Sequence, residues 1–126
     1  ALEVLMGSQT IDVIAVGGDV DPQERSSCGS VCEAQFGRYR PDTAFLSINA
    51  VSLEDGFTDF RFREMGVIEL LSKTAKKVIA VMDSSKFGAT SKSKVLELQQ
   101  VGLLVTDSQA DPETVEQYGE RGLQIV

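Results

Sequence analysis

A lysine set in a loop of serines and glycine is the first candidate for chemistry in this 126-residue chain. The stretch "DSSKFG", residues 83–88, follows the apolar run "VIAVM". Lys86 supplies a fixed cation there, and Ser84, Ser85 and the glycine let backbone N–H groups turn toward the same anion. Such a set suits a phosphate or a hydroxyl. The plainer alternative is a solvated loop lysine, with Asp83 acting as a cap that orders the turn. Cys28 and Cys32 stand four apart in "CGSVC", and the sequence contains no histidine. Two thiols cannot complete a four-ligand zinc site, so we expect reduced structural thiols, with neither metal nor cofactor. Without histidine, the commonest general base and the usual catalytic triads are also excluded.

The loop must be positioned by its flanking elements. "IDVIAVGG", "DTAFLSI", "KKVIAVM", "VGLLVT" and the closing "LQIV" read as strands, because nearly continuous apolar runs suit strands covered on both faces. Helical patterns lie between them: a weak one in "VCEAQFGRY" and a stronger one in "FREMGVIELLSKTA". In "DPETVEQYGERG", Asp111 stands as N-cap, Pro112 at the first helical position and Gly122 past the end. This alternation predicts an α/β chain with a Rossmann-like, mainly parallel sheet. The expected core holds Val13, Ala15, Phe45, Leu46, Ile79, Val81, Leu104 and Val105. Parallel sheets bind ligands beyond the carboxyl ends of their strands, which selects "GGDVDPQERSS", "INAVSLEDGFT" and "DSSKFGATSK".

Length and composition fit one domain over residues 1–126. The formal charge of −7 argues against a DNA grip by this domain alone. No apolar run approaches the roughly 18 residues that span a bilayer, so we expect no membrane partner and a cytoplasmic setting. The opening "ALEVLMGSQ" reads as the tail of a helix, so we expect a fragment whose first strand lies upstream.

Taken in order, "VIAVGGDV", "YRPDTAFLSINAVSLEDGFTD", "VIAVMDSSKFG" and "LLVTD" resemble the C-terminal sensor domain of the DeoR family of bacterial transcriptional regulators. The resemblance covers essentially the whole chain, and "DSSKFG" is its most specific element. It implies a domain that binds a phosphorylated sugar and assembles a homo-oligomer, with DNA held only by an N-terminal helix-turn-helix domain outside this chain. The typical regulator represses genes of carbohydrate metabolism, and some relatives activate. The implied fold is similar to ribose-5-phosphate isomerase and glucosamine-6-phosphate deaminase.

On this resemblance and the strand-end rule together, the expected effector-binding set is Gly17, Gly18, Asn49, Glu64, Ser84, Ser85 and Lys86, with no catalytic residue. Each has a bland counterpart. Gly17 and Gly18 permit a tight turn. Asn49 forms an Asx-turn as readily as a ligand contact, and Glu64 complements a helix dipole. Gly66 and Ile68 depart from the acid and lysine that the family usually shows at these positions. Three readings stand: a sensor, an isomerase- or deaminase-like enzyme, and an oligomerisation module with a decayed site. An amide at Asn49 cannot serve as a general base, and this favours the sensor.

Overall fold

The computed structural model describes residues 2–126. A short helix, α1 (Leu2–Met6), opens it where a helix tail is expected; Ala1 lies outside the described residues. Irregular chain then leads to an antiparallel hairpin of β1 (Asp19–Asp21) and β2 (Ser26–Cys28). Helix α2 (Gly29–Phe36) follows, then β3 (Thr43–Ser47), β4 (Ala50–Ser52) and β5 (Gly56–Asp59). Helix α3 (Phe62–Thr74) leads into β6 (Lys77–Val81), β7 (Ser93–Leu96), β8 (Leu103–Val105) and α4 (Pro112–Glu120).

The strand order β3-β6-β8 forms one parallel sheet, while β4-β5-β7 and β1-β2 are antiparallel. The expectation of a mainly parallel sheet is therefore corrected: the chain is a mixed α/β fold around one parallel sheet of three strands. The closing "LQIV" joins it through a single parallel bridge from Ile125 to Leu104, with Val126 N–H donating to the Leu104 carbonyl at 2.9 Å. Helix α4 forms where its punctuation places it. The Asp111 side chain accepts from Thr114 N–H at 2.9 Å, Pro112 sits in the first turn, and Gly122 adopts a left-handed φ of 86° beyond the end.

The core lies on one face of the parallel sheet. Ala44, Leu46, Val78, Ala80, Met82 and Leu104 are buried there against Ile68 of α3, Tyr118 of α4 and Phe57 and Leu96 of the antiparallel sheet. The register puts Phe45, Ile79 and Leu103 together on the opposite face, with Val81 and Val105 beside them. That face is thinly covered: Phe45 is 69% and Val81 44% exposed, and Val105 is half-buried. Leu46, Ile79 and Leu104 are buried as expected, but Phe45 and Val81 are not core residues.

The expected strand at residues 11–18 is absent. Its residues are irregular up to the hairpin, with Val13 half-buried and Ala15 exposed. Ile14 and Val16 instead line a groove of about 470 Å3 against Phe36, Tyr39 and Phe45, beside the outer edge of β3. An apolar run becomes a strand only when a neighbour completes its ladder, and here the segment stops short of that edge. Among the described residues, no helix is long and apolar enough to cross a membrane.

Candidate functional site

The strand-end edge of the parallel sheet is built around a buried ion pair. Asp59, the last residue of β5, is 0% exposed, and its carboxylate accepts from the backbone N–H groups of Asn49 at 3.1 Å and Arg61 at 2.8 Å. The Arg61 guanidinium, 14% exposed, closes on the same carboxylate with Nε at 2.9 Å and Nη2 at 2.6 Å. Nη2 also donates to the Ser47 carbonyl at 2.7 Å, tying the pair to the end of β3. Burial pushes the Asp59 carboxyl up, but the Arg61 hydrogen bonds and charge, with the Asn49 N–H, outweigh it and hold the carboxyl below its ordinary value. The same contacts raise Arg61, with the Asp59 hydrogen bond the largest cause.

This pair organises Glu64. Arg61 Nη1 lies 2.8 Å from Glu64 Oε2, and Ser26 Oγ of the hairpin donates to Glu64 Oε1 at 2.5 Å. Glu64 therefore has specific partners beyond the helix dipole. Two cavities share Arg61 and Glu64 as a common wall. One, of about 270 Å3, runs past Asp21, Glu24, Phe60 and Arg63. The other, of about 230 Å3, is lined by Ser26, Ser47, Phe36, Phe45, Ile68 and Leu71. Ile68 is buried, and Gly66 leaves room for the Glu33 carboxylate of α2, which lies where a side chain at 66 would be.

The lysine loop sits at the same end of the sheet, because Ser47, Val81 and Val105 are in register and the loop follows β6. Residues Ser84–Lys86 form one 3-10 turn capped by Asp83, whose Oδ1 accepts from Ser85 N–H at 3.0 Å and from the Ser85 hydroxyl. Ser84 N–H donates to Asp107 Oδ2 at 2.9 Å. Lys86 Nζ stands 4.0 Å from Asp83 Oδ2 with its side chain 34% exposed. The two serine amides thus face carboxylates of the protein itself. Asp83 is held below its ordinary value by the Ser85 hydroxyl hydrogen bond first, and Asp107 by the Ser84 N–H. Lys86 lines neither cavity that holds Glu64.

Gly17 and Gly18 are brought to a different place. Gly17 N–H donates to the Gln35 side chain of α2 at 3.4 Å. Gly18 has φ 141°, and a Cβ there would stand 2.6 Å from the Cys28 carbonyl and 2.7 Å from Cys32 Cβ. This close approach explains its glycine. Cys28 and Cys32 are free, buried thiols. Among the described residues, no group of three or more His, Cys, Asp or Glu side chains is arranged to hold a metal.

The family described as the DeoR C terminal sensor domain matches residues 1–108 of this sequence. The chain belongs to that family. Among DeoR-type relatives, the HTH-type transcriptional repressor GlcR of Bacillus subtilis is 31% identical over 83% of this chain and 40% of its own length. The HTH-type transcriptional regulator GolR of Listeria innocua is 26% identical over 96% of the chain and 48% of its own. The HTH-type transcriptional regulator GlpR of Haloferax volcanii is 28% identical over 99% of the chain and 49% of its own. The chain spans about half the length of the curated relatives it matches. Of the expected DeoR-type site residues, Asn49 and Glu64 meet through Asp59 and Arg61, and Ser84, Ser85 and Lys86 share the adjacent turn. Sequence reasoning missed Asp59, Arg61 and Ser26. The signal available was an acid and an arginine two apart in "TDFR", between a strand and a helix start.

Proposed function

We propose that this DeoR-type sensor domain binds a phosphorylated sugar at the carboxyl edge of its parallel sheet and transmits occupancy to a DNA-binding domain elsewhere in a longer regulator. On this reading it is a Rossmann-like domain of the isomerase-like kind and works as a homo-oligomer in the cytoplasm. It acts as a repressor, as the relative GlcR is named a transcriptional repressor, and its targets on this reading are genes of carbohydrate metabolism. Effector and operator affinities are then linked reciprocally. The expected set of Gly17, Gly18, Asn49, Glu64, Ser84, Ser85 and Lys86 is retained, with the weight on the last five.

The observation that carries this reading is the shared edge: Asn49 and Lys86 follow β3 and β6, which end in register, and Arg61 ties Glu64 to the end of β3. A phosphate entering the lysine turn meets in Lys86 an ammonium whose nearest carboxylate, Asp83, stands 4.0 Å away, beyond hydrogen-bond distance. The thinly covered face of the parallel sheet supports a longer polypeptide, since parallel sheets are ordinarily covered on both faces.

The domain is proposed to have no enzymatic activity. Glu64 is already engaged by Arg61 and Ser26, and Asn49 does not titrate. Calorimetry with a panel of sugar phosphates tests the sensor. Lys86→Ala should weaken binding roughly ten- to a hundredfold, as expected for one charge-assisted contact. An unchanged dissociation constant would make the lysine a solvated loop residue. Isomerisation of ribose 5-phosphate that disappears in Glu64→Gln would move the assignment to the enzyme.

A further inference from the structure

The geometry of the two cavities points to the orientation of the ligand, an inference that rests on the sensor reading: we propose that the Ser26–Glu64–Arg61 wall takes the hydroxyl end of the sugar and excludes its phosphate. A guanidinium has five N–H donors. In Arg61, Nε and Nη2 are spent on Asp59 and the Ser47 carbonyl, and Nη1 reaches Glu64 at 2.8 Å. What remains of Nη1 faces Glu24 at 3.8 Å, too far for a hydrogen bond. One guanidinium is thus shared among three carboxylates, those of Asp59, Glu64 and Glu24, before any ligand arrives. Arg63, at the rim of the larger cavity, is already paired with Asp19 at 2.9 Å. A phosphate dianion placed here meets a net negative wall without a free cation.

The same wall is rich in acceptors. Each Glu64 oxygen has one donor, Ser26 Oγ or Arg61 Nη1, and lone pairs to spare. Ser26 and Ser47 add oxygens to the smaller cavity. Across from them lie Phe36, Phe45, Ile68 and Leu71. A polar acceptor wall facing an apolar one suits a sugar, which presents O–H donors at its rim and C–H groups on its ring face. Arg61 is then a positioning residue. Anchored by buried Asp59, it holds the Glu64 carboxylate in place for the ligand hydroxyls.

The test is calorimetry of the protein with glucose 6-phosphate, fructose 6-phosphate, glucosamine 6-phosphate and ribose 5-phosphate at two salt concentrations. The variants are Ser26→Ala, Glu64→Gln, Arg61→Lys and Lys86→Ala. For the sugar phosphates that bind, Ser26→Ala and Glu64→Gln should each weaken affinity about tenfold. Their salt dependence should stay that of the wild type, whereas Lys86→Ala should flatten it. Arg61→Lys keeps the charge but loses the fork, and should weaken binding with the same unchanged salt dependence. Should Arg61→Lys fail to fold, Ser26→Ala decides alone, because it removes one hydroxyl and leaves the Asp59–Arg61 pair in place. Sugar-phosphate binding that Glu64→Gln leaves unchanged or strengthens overturns the orientation while the sensor reading survives. Absence of binding by the wild type to all four ligands removes both.

Discussion

Two charged corners occupy one end of the parallel sheet and differ in how they are held. At Asp59–Arg61 the carboxylate is fully buried and every contact is within 2.9 Å on the side-chain side. At residues 83–88, by contrast, the lysine stands 4.0 Å from its carboxylate in an open turn. The first corner is fixed before a ligand arrives, so it can define shape. The second has a weak partner to give up, so it can exchange Asp83 for an incoming anion at little cost. A site that must respond to its ligand needs both kinds, and this fold sets one at the end of β5 of the antiparallel sheet and the other after β6 of the parallel sheet.

The largest effect that separates the corners is on stability. Arg61→Ala leaves Asp59 buried without its counter-ion, and should destabilise the fold by about 3–5 kcal/mol in urea denaturation. A loss below about 1 kcal/mol would mean that water reaches Asp59 and that the corner is not rigid. Smaller is the effect of the strut beneath the lysine turn. The Tyr118 hydroxyl donates to the Val51 carbonyl at 2.9 Å and accepts from Gly88 N–H at 3.3 Å. Tyr118→Phe should therefore cost about 0.5–1.5 kcal/mol. It should also speed amide exchange at Gly88 more than at Asn49; equal acceleration at both would show that the turn and the buried pair open together.

Acid should discriminate further. The folded state holds Asp59 below its ordinary value and so binds fewer protons than the unfolded state. The stability this supplies is complete above the ordinary carboxylate range, near pH 4, and is lost as pH falls through the lower folded value. The stability gap between the protein and Asp59→Asn should accordingly narrow below about pH 4. A gap that stays constant on acidification assigns the interaction to shape alone. The smallest effect is Lys86→Ala, which should change the unfolding free energy by no more than about 0.5 kcal/mol even where it impairs binding. A larger loss would place the lysine in the framework.

What could be read from the sequence was local. Helix α4 is announced by Asp111, Pro112 and Gly122, residues whose caps need no distant partner. β3, β6 and β8 follow from apolar runs that a parallel sheet buries. Residues 11–18 carry the same signal without forming a strand, because an apolar run cannot reveal whether its neighbour is in reach. Phe45 and Val81 fail as core for a related reason: composition does not say which face of a sheet is covered. In the site, Lys86 stood out by its position after an apolar run, and Glu64 and Asn49 owed their selection largely to resemblance. Asp59 and Arg61 were illegible, since "TDFR" reads as a solvated turn until β5 and α3 bring its charges together out of water.

One further property follows from where β3 lies. Its only strand neighbour among the described residues is β6, so one side of the strand presents peptide groups without a ladder. Phe45 projects from it largely uncovered, and the apolar groove runs alongside. Such an edge is a template on which another extended chain can grow, and charge or proline usually guards against it. Here Pro41, Asp42 and Lys77 gather at its amino-terminal end, with Lys76 paired to Asp42 at 2.7 Å, and the remainder is unguarded. At high concentration this strand is therefore where the fold offers another extended chain a place to pair.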